Sequence, residues 1–204
     1  MAAFQNALEE ANKAIQTKLD DLSTEKVNNI EIGGRNLLTN NPTNWEQGSY
    51  AGGSLSDFSS VTRIRTDFVE VEPSTQYIIS FNSDYDVWIP ELDASKVGVA
   101  QTSAVYWDSG HIFTTTSETK YLHICFRIKG SSYSSTNPED LVSPEDIVEI
   151  KPKLEKGNKA TDWTPAPEDV EAEIDSAKQE ALTAASDAQS TADSLKNFTD
   201  TAFR

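Results

Sequence analysis

Hydrophobic and polar positions divide the chain into three stretches with different periods. Near the start, Phe4, Leu8, Ala11, Ile15 and Leu22 are spaced four, three, four and seven apart, with Lys18 at the missing seam position. This heptad seam, in a stretch rich in helix formers and free of Gly and Pro, predicts a coiled-coil helix over residues 1–26. At the other end, Pro165-Ala166-Pro167 marks a second helix start, giving a helical segment over 165–204. Ile174, Ala177, Ala181, Ala184, Ala188, Thr191, Leu195 and Phe198 then alternate spacings of three and four. A period of 3.5 implies a left-handed supercoil. An alanine seam buries little area per contact, so it needs continuation or a partner. The uncapped stop at Thr201-Ala202-Phe203-Arg204 and the abrupt Met1-Ala2-Ala3 opening predict a piece of a longer helical rod.

Residues 27–164 follow another grammar. Alternating runs predict strands over 62–71, 75–81, 86–89, 111–115, 121–128 and 147–154, separated by turn clusters such as Glu72-Pro73-Ser74 and Lys129-Gly130-Ser131-Ser132. Many short strands without helical period predict a mainly β, antiparallel jelly-roll sandwich flanked by coiled-coil helices.

Composition narrows the function. The 204 residues carry 17 basic and 33 acidic groups, a formal charge of −16. Such a surface repels phosphate backbones and anionic lipid, so neither nucleic acid nor membrane is expected as a partner. With 37% hydrophobic residues the chain can bury a core. No apolar run approaches the roughly 18 residues that span a bilayer, and the first twenty residues do not read as a signal peptide. Cys125 is the single cysteine, which excludes an internal disulfide or a Cys-based metal or redox motif. In Leu122-His123-Ile124-Cys125-Phe126 it reads as a small apolar strand residue.

Enzyme chemistry has little to work with. His111 and His123 are the only histidines. Glu91, Asp93, Asp108 and Glu118 lie in polar, turn-like stretches that would leave a glycosidase pair without a raised pKa. No phosphate loop, nucleophile elbow or HExxH helix is present, so the chain is read as no enzyme. No cofactor is expected. The fold class admits a structural Ca²⁺, yet no calcium-loop spacing occurs.

Two stretches at opposite ends of the β region carry a resemblance. The entry is Ile32-Gly33-Gly34-Arg35-Asn36-Leu37-Leu38-Thr39-Asn40-Asn41, followed by Trp45. The exit runs Ile150-Lys151-Pro152-Lys153-Leu154-Glu155-Lys156-Gly157-Asn158-Lys159-Ala160-Thr161-Asp162-Trp163-Thr164-Pro165-Ala166-Pro167-Glu168-Asp169. Together they resemble the carbohydrate-binding-module-like jelly roll of tail-tip, tail-fibre and baseplate minor structural proteins of phages infecting Gram-positive bacteria such as streptococci and lactococci. The resemblance implies a virion protein acting at the bacterial surface. Its partners would be host cell-wall polysaccharide and other tail proteins, and its parent a homo-trimer. The residues themselves predict Asn36-Leu37-Leu38 as the first strand, beside a last strand ending at Lys153-Leu154-Glu155. Trp163 would fold back over that seam.

Sugars are read by flat aromatic faces and planar polar groups. Tyr77, Phe81, Phe113 and Phe126 occupy core-facing strand positions. Trp88 points away from Val87 and Ile89, and Tyr106-Trp107 adjoins a turn. His123, Cys125 and Arg127 form the polar face of their strand, where Arg127 would be a fork donor. The predicted ligand-binding set is therefore Trp88, Tyr106, Trp107, Arg127 and His123, with Trp45, Tyr50 and Tyr133 on the rim. The function expected is non-catalytic saccharide adhesion. The alternative is a spacer of the tail fibre without ligand, in which Trp88, Tyr106 and Trp107 pack against protein.

Overall fold

The structure, a computed structural model, describes residues 12–18 and 34–202, with side chains in the C-terminal helix described as far as residue 194. Residues 12–18 are helical (α1); the rest of the helix predicted over 1–26 lies outside the described residues. The β unit spans Ile30–Asp169, and α1 falls to a second unit together with the C-terminal helix from Val170 onward.

The β unit is mainly antiparallel sheet. Among the described residues it holds thirteen short strands: β1 (Trp45–Gln47), β2 (Ser49–Tyr50), β3 (Asp57–Phe58), β4 (Ile64–Thr66), β5 (Val69–Glu70), β6 (Gln76–Ser80), β7 (Tyr85–Trp88), β8 (Glu91–Leu92), β9 (Gly98–Ala100), β10 (His111–Thr114), β11 (Tyr121–Leu122), β12 (Cys125–Ile128) and β13 (Lys153–Lys156). They pair in the orders β1-β4-β12-β7, β10-β6-β13, β5-β11-β8-β9 and β2-β3. The first two sheets share one apolar cluster. Trp45, Ile64, Val87 and Phe126 from one meet Tyr77, Ile79 and Leu154 from the other.

Two predicted long strands are broken, and the breaks align. The 62–71 run divides into β4 and β5 at Asp67-Phe68, and the 121–128 run into β11 and β12 at His123-Ile124. Between β7 and β8 lies Ile89-Pro90, where proline supplies no ladder donor. Three strands thus pass together from the β4-β12-β7 sheet into the β5-β11-β8 sheet. The His123 N–H crosses the break to the Pro90 carbonyl at 3.0 Å. This crease places His123, Asp67 and Phe68 at one level.

The strand expected over 147–154 is a correction. Ile147–Ile150 is one α-helical turn (α2), ended by Lys151 in the left-handed region at φ 48°, and β13 begins only at Lys153. Ser143 and Asp146 form a capping box around Pro144 that starts a 3-10 turn and leads into α2. Local capping overrides the strand preference of Ile-Val-Glu-Ile, and Ile147 and Ile150 still reach the core.

The entry and exit stretches interlock. Asn36 is fully buried and uses its whole amide. Nδ2 donates to the carbonyls of Pro152 (2.9 Å) and Thr164 (3.1 Å), while Oδ1 accepts from the backbone of Leu38 (3.0 Å) and Leu154 (3.1 Å). The Leu37 N–H donates to the Leu154 carbonyl at 2.9 Å, so the entry runs beside β13 as expected, although without regular strand pairing. Lys153 and Glu155, both about 1% exposed, pair at 3.5 Å, and Glu155 accepts from the Thr161 backbone (2.8 Å) and hydroxyl (2.7 Å). Gly34, at φ +45°, lies where a Cβ would come within 2.0 Å of the Glu155 carboxylate. Trp163 is 38% exposed and takes the Lys151 ammonium over its ring at 5.8 Å.

The C-terminal helix α3 runs Pro167–Ala202. Of its seam, Ile174 is half-buried and Ala177, Ala181, Ala184, Ala188 and Thr191 are exposed. Among the described residues no helix is long and apolar enough to cross a membrane.

Candidate functional site

The outer face of β4-β12-β7 is not an open groove. The two-residue strands β2 and β3 close over it, and Tyr50, Leu55, Trp88, Leu92 and Cys125 form a second apolar cluster beneath. Trp88 is 0% exposed, with its indole N–H donating to the Gln101 carbonyl at 2.7 Å, so this expected stacking platform is an interior residue. Trp45 is likewise buried, its N–H on the Thr39 carbonyl at 3.0 Å. Cys125 is fully buried and 3.5 Å from the Ser49 hydroxyl; burial raises its thiol pKa and leaves it unreactive.

The remaining predicted residues separate into three places. Trp107 bridges to Val87 and stacks its ring on His111 at 4.1 Å, half-buried against the main core. Tyr106 and Arg127 come together, and His123 lies apart at the crease.

The Tyr106–Arg127 group is an aromatic–arginine cluster. The Arg127 guanidinium stacks 3.7 Å from the Tyr106 ring centre and grips Asp86 with Nε (2.6 Å) and Nη2 (2.8 Å). Beneath lies Arg63, fully buried. Its Nε donates to the Tyr106 hydroxyl at 3.0 Å, and its other nitrogens reach Thr62 and Ser131. Its guanidinium also sits 4.2 Å from the Tyr133 ring centre. The Tyr106 and Tyr133 hydroxyls meet at 3.1 Å, and Tyr133 packs edge-on against Phe58 at 5.8 Å and 86°. Phe58 and Tyr133 are 46% and 38% exposed. The result is two open aromatic rings on a base fixed by hydrogen bonds and cation–π contacts, each of the latter worth about 0.5–2 kcal/mol.

On the other side of the β2-β3 ribbon lies a cleft of about 1050 Å³. Tyr50 and Asp57, paired across the ribbon, line it, whereas Ser49 and Phe58 serve the Tyr133 side. His123 is on its floor, stacked under Tyr50 at 3.8 Å and against Phe68 at 4.6 Å. Burial lowers the His123 pKa to about 4, with the Asp67 charge pulling the other way, so the ring is neutral at pH 7. Its Nδ1 is buried without a hydrogen-bond partner. Arg65 spans the wall, donating to Asp57, to Glu46 at 2.9 Å and to the Ser49 carbonyl at 3.2 Å, while its Nε is buried and unpaired. Hydrogen bonding to Arg65 holds the Asp57 carboxyl below its ordinary value.

Sequence reading missed Phe58, Arg63 and Arg65. A signal for the arginines existed: in Thr62-Arg63-Ile64-Arg65-Thr66 the core position of Ile64 puts both on the face shared with Cys125, which pairs with Arg65. Among the described residues no group of three His, Cys, Asp or Glu side chains is placed to hold a metal ion. Comparison with protein-family models, with curated proteins and with solved structures finds no match for this chain.

Proposed function

We propose that the β unit is a non-catalytic saccharide-binding module of a phage tail protein: a jelly-roll sandwich carried between coiled-coil helices, which adheres to the wall polysaccharide of a Gram-positive host. The single observation that carries the reading is the exposed ring pair Phe58 and Tyr133, held edge-to-face on the Arg63–Tyr106–Arg127 base. Such rings offer apolar faces to a pyranose, and the adjoining exposed Ser132 and Ser134 hydroxyls offer donors and acceptors. Three copies on a coiled-coil trimer would raise avidity by about 10² to 10⁴. The resemblance of the entry and exit stretches to phage tail modules supports the same context.

A second reading, a spacer without ligand, is favoured by the full burial of Trp88 and by the commitment of the Arg127 fork to Asp86. Binding of a fluorescently tagged chain to candidate host cells separates the two. A saccharide module gives saturable binding, lost on stripping wall polysaccharide and lost in a Phe58→Ala/Tyr133→Ala variant of unchanged melting temperature. A spacer gives no binding even when multimerised.

A further inference from the structure

A separate concave place lies around Trp163. Of the four tryptophans, Trp45 and Trp88 are interior with their N–H groups on carbonyls, and Trp107 is half-buried against His111. Trp163 alone is exposed, and it lines a cleft of about 540 Å³ together with Asn82, Glu149, Lys151 and the buried Lys153. The cleft shares no lining residue with the Phe58–Tyr133 group.

Its residues are held from several elements. The Lys153 ammonium donates to the Thr161 hydroxyl at 2.5 Å and the Asp162 carbonyl at 2.7 Å, which fixes the stretch that delivers Trp163. The Asn82 N–H donates to the Ile150 carbonyl at 2.8 Å, tying the chain just past β6 to α2. Lys151 ends α2 in the left-handed region, where glycine is the ordinary residue. A lysine is kept there against the backbone preference, with its ammonium 5.8 Å from the Trp163 ring centre.

Four polar groups around the ring are unengaged. The Asn82 amide oxygen takes the Asp84 N–H at 3.1 Å. Its Nδ2, the Trp163 indole N–H, the Lys151 ammonium and the Glu149 carboxylate have no hydrogen bond or ion pair among the described residues. Three donors and one acceptor beside an open aromatic ring suit a pyranose, whose hydroxyls accept and donate at once and whose ring has an apolar face. The charges balance: Glu155 neutralises Lys153, leaving Lys151 against Glu149. A neutral ligand thus meets no net charge in the lining, whereas a phosphate polymer would also face the chain's −16.

We propose that this cleft is a second saccharide subsite, which takes a neutral pyranose against Trp163 with its hydroxyls reached by Asn82, Lys151 and Glu149. That the ligand is a sugar rests on the saccharide reading above; the place and the neutrality rest on the cleft alone.

The test follows acrylamide quenching of the full chain's indole fluorescence while neutral polysaccharide released from Gram-positive walls is titrated in. A glycerol-phosphate polymer is the charged comparison. The expected result is saturable protection of the exposed indole by the neutral polymer, with an affinity constant to within about twofold between about 50 and 500 mM salt. Calorimetry gives the affinities of the variants, and Trp163→Ala should bind about fivefold or more weakly. Lys151→Gly removes a polar group while easing the backbone, so it should bind about threefold more weakly with a melting temperature unchanged or raised. Its loss of affinity is therefore not a loss of structure. Quenching unmoved by the neutral polymer, preference for the phosphate polymer, or Lys151→Gly binding as tightly as the parent would each overturn the proposal. Should Phe58→Ala/Tyr133→Ala abolish binding while Trp163→Ala leaves it intact, the saccharide reading stands and this subsite falls.

Discussion

Asn36 offers the sharpest test of what holds the β unit together. Asn36→Ala removes four hydrogen bonds at once, three of them in wholly buried surroundings, and strands the Leu38 and Leu154 N–H groups and the Pro152 carbonyl. Leaving a buried backbone group unpaired costs about 1–3 kcal/mol. With some relaxation, the three buried groups give about 3–6 kcal/mol. A domain of this size has about 5–15 kcal/mol in total, so the melting temperature should fall by about 10–20 °C. All four tryptophans lie between residues 45 and 163, so indole fluorescence during urea unfolding reports the β unit without contribution from the C-terminal helix. Asn41→Ala is the control: that side chain caps an exposed 3-10 turn through Thr43 and should cost about 1 kcal/mol or less. Asn36→Asp keeps both acceptor positions but turns a carboxylate towards two carbonyls, and should be at least as damaging at pH 7. If Asn36→Ala behaved like Asn41→Ala, the interlock of entry and exit would not be what stabilises this domain.

Two other perturbations follow from the same geometry. Gly34→Ala puts a methyl 2.0 Å from a Glu155 oxygen in a backbone conformation, φ +45°, that disfavours any side chain, and should destabilise by about 2–4 kcal/mol; a change below about 0.5 kcal/mol in urea unfolding would refute the close approach. For His123 the folded pKa of about 4 lies below the unfolded value of 6.5. The unfolded chain therefore binds more protons between these values, and the contribution present above pH 6.5 is lost as pH falls to 4. It amounts to about 3 kcal/mol, and the stability difference between parent and His123→Gln should shift by that order across the window, while a flat difference would contradict the burial of a neutral ring.

Strand positions were more legible than what covers each of their faces. Alternation located Gln76–Ser80 and His111–Thr114 closely, and correctly assigned Tyr77, Phe81 and Phe126 to the core. The same alternation misplaced Trp88, because a period of two assigns a face without saying whether another element covers it. Here the cover is a ribbon with two-residue strands in a Gly- and Ser-rich stretch, too short to carry a period. Ile147–Ile150 shows the reverse failure. Its β-branched residues spell a strand, and Ser143-Pro144-Glu145-Asp146, a readable capping signature, was the overlooked local evidence. The crease that positions His123 has one sequence marker, Pro90; the aligned breaks at Asp67 and Ile124 depend on which strands lie side by side, and a linear pattern does not contain that.

The joining of entry to exit also bears on how such a unit can be moved between proteins. Arg35 pairs with Glu168 and Thr39 with Asp169, so a chain that leaves at one point returns to the same point after more than a hundred residues. A host protein accepting this cassette would need to open a gap no wider than a peptide hairpin. Excision would leave two ends near enough for a short linker to heal. A module closed at its own base is portable as a matter of geometry, whatever its surface binds.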